Sequence, residues 1–140
     1  MLVATFHLAD AVFGVDTLQV QEVVRPALLT PVHQASPHIL GIMNLRGKIV
    51  TVLDLGRKLG LSPVARGPDN RILIFETRGE HIGLLVDRVD DAVTVENARL
   101  APPPANVRGA QGRFFAGVLA TEREVIAVIH LQAVLADETT

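Results

Sequence analysis

Gly41-Ile42-Met43-Asn44-Leu45-Arg46-Gly47-Lys48-Ile49-Val50-Thr51-Val52-Leu53-Asp54-Leu55 consists of two apolar runs on either side of a polar turn. Val, Ile and Leu crowd both runs and a glycine closes the turn, which is strand-and-turn punctuation. Residues 41–45 and 48–53 therefore read as a β-hairpin. Asp54 then caps a short helix over residues 54–59, ended by Gly60. The stretch has an echo later in the chain. Gly117-Val118-Leu119 falls on Gly41-Ile42-Met43, and Val125-Ile126-Ala127-Val128-Ile129-His130-Leu131 on residues 49–55, at an offset of 76 (41 to 117). Nearer the N-terminus Phe6 matches Phe75, Gly14 matches Gly83 and Val20 matches Val89, at an offset of 69 (6 to 75). Repetition of this kind marks an internal duplication.

The rest of the chain has the same texture. Residues 2–8 and 12–15 read as a hairpin, and Asp16 as the N-cap of a helical turn. Residues 20–32 continue extended past Pro26 and Pro31, and Ser36-Pro37 suits the start of one short helical turn. Residues 62–70, with two prolines and a glycine, connect the halves. A hairpin follows over residues 72–77 and 81–86, turning at Arg78-Gly79-Glu80, and then an alternating strand over 89–95. Residues 101–111, with three consecutive prolines, read as a long loop that absorbs the difference between the two offsets. Residues 113–120 and 125–129 make the last hairpin, and 131–136 a terminal helix.

The fold this predicts is mainly β: two halves, about 1–66 and 70–140, each with about five strands and a short closing helix. Each half reads as a small β-barrel too small to stand alone, packed with its partner on a shared apolar core within one domain.

Thirteen basic and fifteen acidic side chains leave a net charge of -2, so no nucleic-acid footprint is expected. The later half is the mildly acidic one. Without cysteine there are no disulfides, thiolate metal sites or cysteine nucleophiles. The first residues alternate like a strand instead of forming a secretory signal, and no apolar run approaches the ~18 residues needed to span a bilayer. A cytoplasmic location without direct membrane insertion is the expectation.

A duplicated scaffold carries its own control. Where the halves agree, the residues are apolar strand positions or glycines, which is packing. Where they disagree, something other than the fold decides. The clearest disagreement is the hairpin turn: Asn44-Leu45-Arg46-Gly47 in one half, Ala120-Thr121-Glu122-Arg123 in the other. A turn needs only polar residues and a glycine. An apolar Leu45 beside Arg46, with its planar guanidinium, suggests an interaction surface projected outward.

With these segments, Phe13-Gly14-Val15-Asp16, Val20-Gln21-Glu22-Val23, the stretch 41–55, Gly83-Leu84-Leu85-Val86-Asp87-Arg88-Val89 and Gly117-Val118, the chain resembles the CheW family of bacterial chemotaxis coupling proteins over nearly its whole length. The resemblance implies two five-stranded SH3-like β-barrels about a shared core. It also implies a non-catalytic, cofactor-free adaptor that joins the cytoplasmic tip of methyl-accepting chemotaxis receptors to the regulatory domain of a CheA-type histidine kinase. Carried over by position, Asn44, Leu45 and Arg46 contact receptor, with Val20, Glu22 and Val23 in the neighbouring strand. For the kinase the candidates are exposed positions away from the Arg46 turn, Ile49 and the hairpin Arg78-Gly79-Glu80. Coupling proteins of pilus-motility and other non-flagellar chemosensory systems share the pattern and stay open as alternatives.

An enzymatic or small-ligand barrel is the competing class. Ser36 and Ser62 both precede proline and lack the glycines of a nucleophile elbow, and no phosphate-binding glycine loop is present. His33 and His38 are separated by Ser36-Pro37 with no carboxylate between them, a poor metal spacing. Asp16, Asp54 and Asp87 each follow an apolar strand, where Asp16 and Asp54 suit helix caps better than paired acid-base chemistry. Asp90-Asp91 lacks the spacing of a calcium loop.

Overall fold

The computed structural model describes residues 1–96 and 99–136. Among these residues twelve strands and two short α-helices succeed one another: β1 (Leu2–Leu8), β2 (Ala11–Asp16), β3 (Glu22–Val24), β4 (Ile39–Leu45), β5 (Lys48–Asp54), α1 (Leu55–Lys58), β6 (Arg71–Thr77), β7 (Glu80–Val86), β8 (Arg88–Thr94), β9 (Asn106–Val107), β10 (Ala110–Gln111), β11 (Phe115–Ala120), β12 (Val125–Ile129) and α2 (Leu131–Leu135). The expected caps are present. Asp16 accepts a hydrogen bond from the Leu18 N–H at the 3-10 turn Thr17–Gln19. Buried Asp54 accepts from the N–H groups of Arg57 and Val64, tying α1 to the loop beyond it. His130, the counterpart of Asp54, caps α2 through Nδ1, which accepts from the Ala133 N–H at 3.0 Å.

Two five-stranded sheets carry the fold, sheet 1 in the order β11-β12-β2-β1-β8 and sheet 2 in the order β4-β5-β7-β6-β3. The duplication is plain in these orders, because each strand of sheet 1 sits where its repeat sits in sheet 2. The expectation that each half builds its own five-stranded unit is overturned. The first hairpin of each half lies in the sheet of the other: β2 pairs in parallel with β12, Val12 beside Ile126, and β5 pairs in parallel with β7, Val50 beside His81. Gly14 and Gly83 occupy equivalent places on β2 and β7, where no side chain would fit. A Cβ on Gly14 would lie 2.4 Å from a Val3 methyl, and one on Gly83 2.5 Å from an Ile72 methyl. Branched side chains from the neighbouring strand fill the space in both sheets.

One apolar cluster spans both sheets, including Phe6, Phe13, Val15 and Phe115 from sheet 1 and Val50, Leu53, Ile72, Phe75 and Leu84 from sheet 2. Phe13 stacks between Phe6 and Phe115, each pair of ring centroids 6.0 Å apart. Full burial of side chains this size contributes about 1.5–3 kcal/mol each, so the exchanged hairpins are anchored at the centre of the molecule. A smaller cluster of Val3, Val12, Leu119, Ile126 and Val128 fills the far side of sheet 1.

Other departures are local. Ser36-Pro37 opens a β-turn and no helical turn, with the Ile39 N–H donating to the Ser36 carbonyl at 2.9 Å, because β4 begins before a helix could develop. Within residues 20–32 only Glu22–Val24 is a strand. Beyond it the chain reaches β4 at a single bridge, where Thr30 and Ile42 exchange backbone hydrogen bonds of 2.8 and 2.9 Å. Beyond β8, Ala101 does the same to Val118 of β11, at 2.9 and 2.8 Å. The long loop at 101–111 contains the small hairpin β9–β10, and Arg113 belongs to a 3-10 turn, Gly112–Phe114, ahead of β11.

Candidate functional site

Arg46 and Gly47 alone connect β4 to β5, since Leu45 and Lys48 are already paired. A two-residue hairpin loop follows the strand twist only with both residues at positive φ, a type I′ turn. Arg46 has φ +51° and Gly47 φ +84°. Asn44 secures the turn, its Oδ1 accepting from the Gly47 N–H at 2.7 Å. Leu45 does not project outward as expected: it is half-buried and packs against the main core. Strand alternation is the reason, because Leu45 shares the inward face with Met43, while Asn44 points out.

Arg46 is exposed, and its guanidinium donates to the Glu22 carboxylate. This hydrogen bond, with the charge of the carboxylate, holds the Arg46 guanidinium above its ordinary pKa. The pair has a topological meaning. Glu22 is in β3 and Arg46 follows β4, and these strands are opposite edges of sheet 2. In a flat five-stranded sheet the edges would stand about 19 Å apart, so sheet 2 curves enough for these two side chains to touch. The ion pair lies at the mouth of that curl, over a cavity of about 270 Å³ lined by residues that include Leu45, Lys48, Val50 and His81. Beneath the rim, His81 Nε2 is buried without a hydrogen bond, 3.6 Å from the Glu76 carboxylate.

The other candidates fall on three surfaces. Glu22 belongs to the rim, but Val23, its neighbour in the strand, faces the opposite way. It lines a shallow groove with Arg71, Arg88 and Val89, where β3 comes up against β8 of the other sheet. Val20 lies before β3 in the turn and packs on the core, half-buried. Ile49, at 60 % exposure, stands directly across from Asn44 in the β4–β5 register, so it belongs to the receptor candidates' hairpin and not to a surface away from it. Arg78-Gly79-Glu80 forms the tip of β6–β7, with Arg78 and Gly79 again at positive φ. Because β5 and β7 run parallel, this tip emerges at the same end of sheet 2 as Arg46. The premise that these kinase candidates lie apart from the Arg46 turn therefore fails on geometry.

Sequence reasoning passed over Leu28, 93 % exposed on the segment that bridges β4 at Thr30. The available signal was the pair Leu28-Leu29 between Pro26 and Pro31: on an extended chain adjacent side chains face opposite ways, and Leu29 packs on the core. Among the described residues no group of three His, Asp or Glu side chains is arranged to hold a metal, and no helix is long and apolar enough to cross a membrane. Asp87 is a structural brace, its carboxylate accepting from the Ala9 N–H at 2.6 Å.

The model of the CheW-like domain matches residues 2–139. The chain belongs to the CheW-like domain family. Among the proteins it is similar to are the probable chemotaxis protein CheW of Rhizobium etli, 30 % identical over 94 % of this chain and 85 % of that one, and chemotaxis protein CheW of Bacillus subtilis, 27 % identical over 91 % and 82 %. A crystal structure of the scaffolding protein TtCheW from Thermoanaerobacter tengcongensis superposes with a TM-score of 0.88 at 33 % identity, covering 96 % of this chain and 86 % of that chain. Agreement at that extent shows one fold, so the exchange of hairpins belongs to the CheW-like arrangement. The disagreement between the two turns of the duplication is therefore set within a shared scaffold.

Proposed function

We propose that this chain is a non-catalytic adaptor of bacterial chemosensory signalling. It couples the cytoplasmic tip of methyl-accepting receptors to the regulatory domain of a CheA-type histidine kinase, working in the cytoplasm at membrane receptor arrays. The observation that carries the reading is the Asn44-Leu45-Arg46-Gly47 turn, with Arg46 exposed and clasped to Glu22 at one end of sheet 2. Each part of that motif has a distinct task. Asn44 and Gly47 fix the backbone, Leu45 anchors the turn in the core, and Arg46 offers the donors that its bond to Glu22 leaves unused. Exposed Ile49 beside Asn44, with Leu28 on the adjoining segment, supplies the apolar surface that an amphipathic receptor helix needs. Ile49 is accordingly assigned to the receptor and not to the kinase. Val20 and Val23 remain with the receptor surface, Val23 through the groove at β8. For the kinase the candidate that remains is the Arg78-Gly79-Glu80 tip.

The same reading takes residues 1–140 as one domain of two SH3-like barrels. Its support is the pair of equivalent bridges, Thr30 to Ile42 and Ala101 to Val118, each joining the segment beyond one edge strand to the other edge strand of the same sheet, together with the Arg46–Glu22 contact. A barrel end presents loops from several strands on a stiff base, which suits a protein whose signal is a change in the relative geometry of two partners. Weak contacts suffice when both partners are tethered in an array.

Co-sedimentation with receptor-containing membranes and the kinase tests this. The wild-type chain is expected in the pellet with both partners at micromolar concentration, and Arg46→Glu is expected to stay in the supernatant while unfolding at the same temperature as wild type. Absence of the wild-type chain from the pellet with either partner present would falsify the adaptor reading. Loss of folding together with binding in Arg46→Glu would make the residue structural.

A further inference from the structure

His81 holds the one buried side-chain nitrogen among the described residues that has no hydrogen-bond partner, Nε2. The residue lies on β7 with Glu76 as its antiparallel neighbour on β6 and Val50 as its parallel neighbour on β5. It lines the cavity beneath the Arg46–Glu22 clasp, together with Gln21, Glu22, Arg46 and Lys48. The Glu76 carboxylate stops 3.6 Å from Nε2 and accepts a long hydrogen bond of 3.4 Å from the Gln21 side-chain amide. His7, on sheet 1, makes a contrast, because its Nε2 is already bonded to Asp90. A water can satisfy a neutral imidazole in such a cavity, but it cannot balance a charge.

We propose that His81 is a proton-operated control of the Arg46 turn: once charged, it draws the carboxylates of Glu76 and Glu22 toward Nε2 and loosens the hold of Glu22 on Arg46. Histidine is the side chain whose charge changes between about pH 5 and 8. The protonated ring carries an N–H on both nitrogens, so Nε2 becomes a donor in a place shielded from solvent. The groups that face it come from each element around the cavity. Glu76 is on β6, Gln21 and Glu22 are at the start of β3, Arg46 is in the β4–β5 turn and Lys48 is on β5. On its own strand, Glu80 alternates to the opposite face. A charged His81 becomes the third cation here, beside Arg46 and Lys48, against two carboxylates. Repulsion then acts on Arg46 and attraction on Glu22, and both oppose the clasp. The Arg46 side chain is largely exposed, and exposed ion pairs are the weakest class. A modest opposing field therefore shifts the pair. Glu76 does not cancel the effect, since its side chain is half exposed and solvent screens its charge. The inference concerns the turn itself and holds whatever partner Arg46 meets.

The test is a titration of the isotopically labelled full chain from about pH 8 to 5, following the magnetic resonance signals of the His81 ring and the Arg46 side-chain N–H groups. Exposed Arg123 serves as reference. The His81 and Arg46 signals are expected to move with one midpoint, while Arg123 does not follow them. The ratio of clasped to open Arg46 should fall toward acid by up to about fivefold, the scale of one exposed ion pair. In His81→Gln, which stays polar without titrating, the Arg46 signals should stay still over the same range. In Glu22→Gln they should also stay still, because no clasp is left to open. The wild-type titration decides the matter even where a variant fails to fold. Arg46 signals that stay still while His81 titrates would overturn the proposal, since Glu76 alone would then absorb the charge. It is equally overturned by a step at Arg46 that survives in His81→Gln, or by a His81 ring that does not titrate in this range.

Discussion

Residues 45–48 and 121–124 close the same hairpin in the two halves, and they do it with opposite chemistry. The first is a left-handed two-residue turn that depends on Gly47 and on an asparagine side chain, with an arginine at its tip. In the second, neither Glu122 nor Arg123 adopts positive φ. There Thr121 organises the loop: its N–H and hydroxyl both donate to the Glu124 carbonyl, at 2.8 and 3.0 Å, while its oxygen accepts from the Glu124 and Arg123 N–H groups. The strands on either side are equivalent and would accept either solution. What separates the turns is what they present, an arginine clasped to an edge strand in one case and two glutamates at the rim of an open depression in the other.

The most severe way to break this contrast is to transplant it. Replacing residues 45–48 by their counterparts (Leu45→Thr, Arg46→Glu, Gly47→Arg, Lys48→Glu) should leave a folded chain and reduce retention by receptor membranes at least about tenfold, because a glutamate then faces Glu22. Co-sedimentation checks the binding and circular dichroism the fold. Next in size is a change of backbone freedom. Gly47→Val, at φ +84°, should lower stability by about 1–3 kcal/mol in urea titrations, whereas Arg123→Val should stay within about 0.5 kcal/mol. Equal losses at the two positions would mean that the left-handed turn carries no particular strain. The side chains that organise the loops come third: Asn44→Ala and Thr121→Ala should each cost about 1 kcal/mol, the first also weakening receptor binding and the second leaving it unchanged. Smallest is Glu22→Gln, which frees Arg46 without removing it. A change in receptor affinity of no more than a few-fold is expected by calorimetry.

Much of the local structure was legible from single stretches of sequence. The hairpin turning at Arg46, its repeat at β11–β12, the caps at Asp16 and Asp54 and the glycine after α1 all follow from patterns that a few neighbouring residues complete. The parallel seams were not legible, because Val12 beside Ile126 and Val50 beside His81 are chosen by burial across the whole chain, and each strand is apolar enough to fit either sheet. The site was legible in part for the same reason. Asn44, Arg46 and Gly47 announce their turn locally. That Leu45 points inward, that Val23 leaves the rim, or that Ile49 stands across from Asn44 depends on strand register, which one extra or missing residue reverses. The β9–β10 hairpin was not legible, since the three prolines before it read as loop.

Exchange of hairpins between the halves also sets a timetable for synthesis. Strands β3 to β7 are consecutive and complete sheet 2 as soon as Val86 has left the ribosome. Sheet 1 cannot be completed until β11 and β12 arrive, so β1 and β2 wait for strands far along the chain, with Phe6 and Phe13 lacking Phe115. Such late, long-range pairing folds slowly and leaves apolar strands open to capture by other chains. The nascent N-terminal hairpin is therefore the part of this protein most in need of a chaperone, and a chain truncated before β12 should aggregate through it.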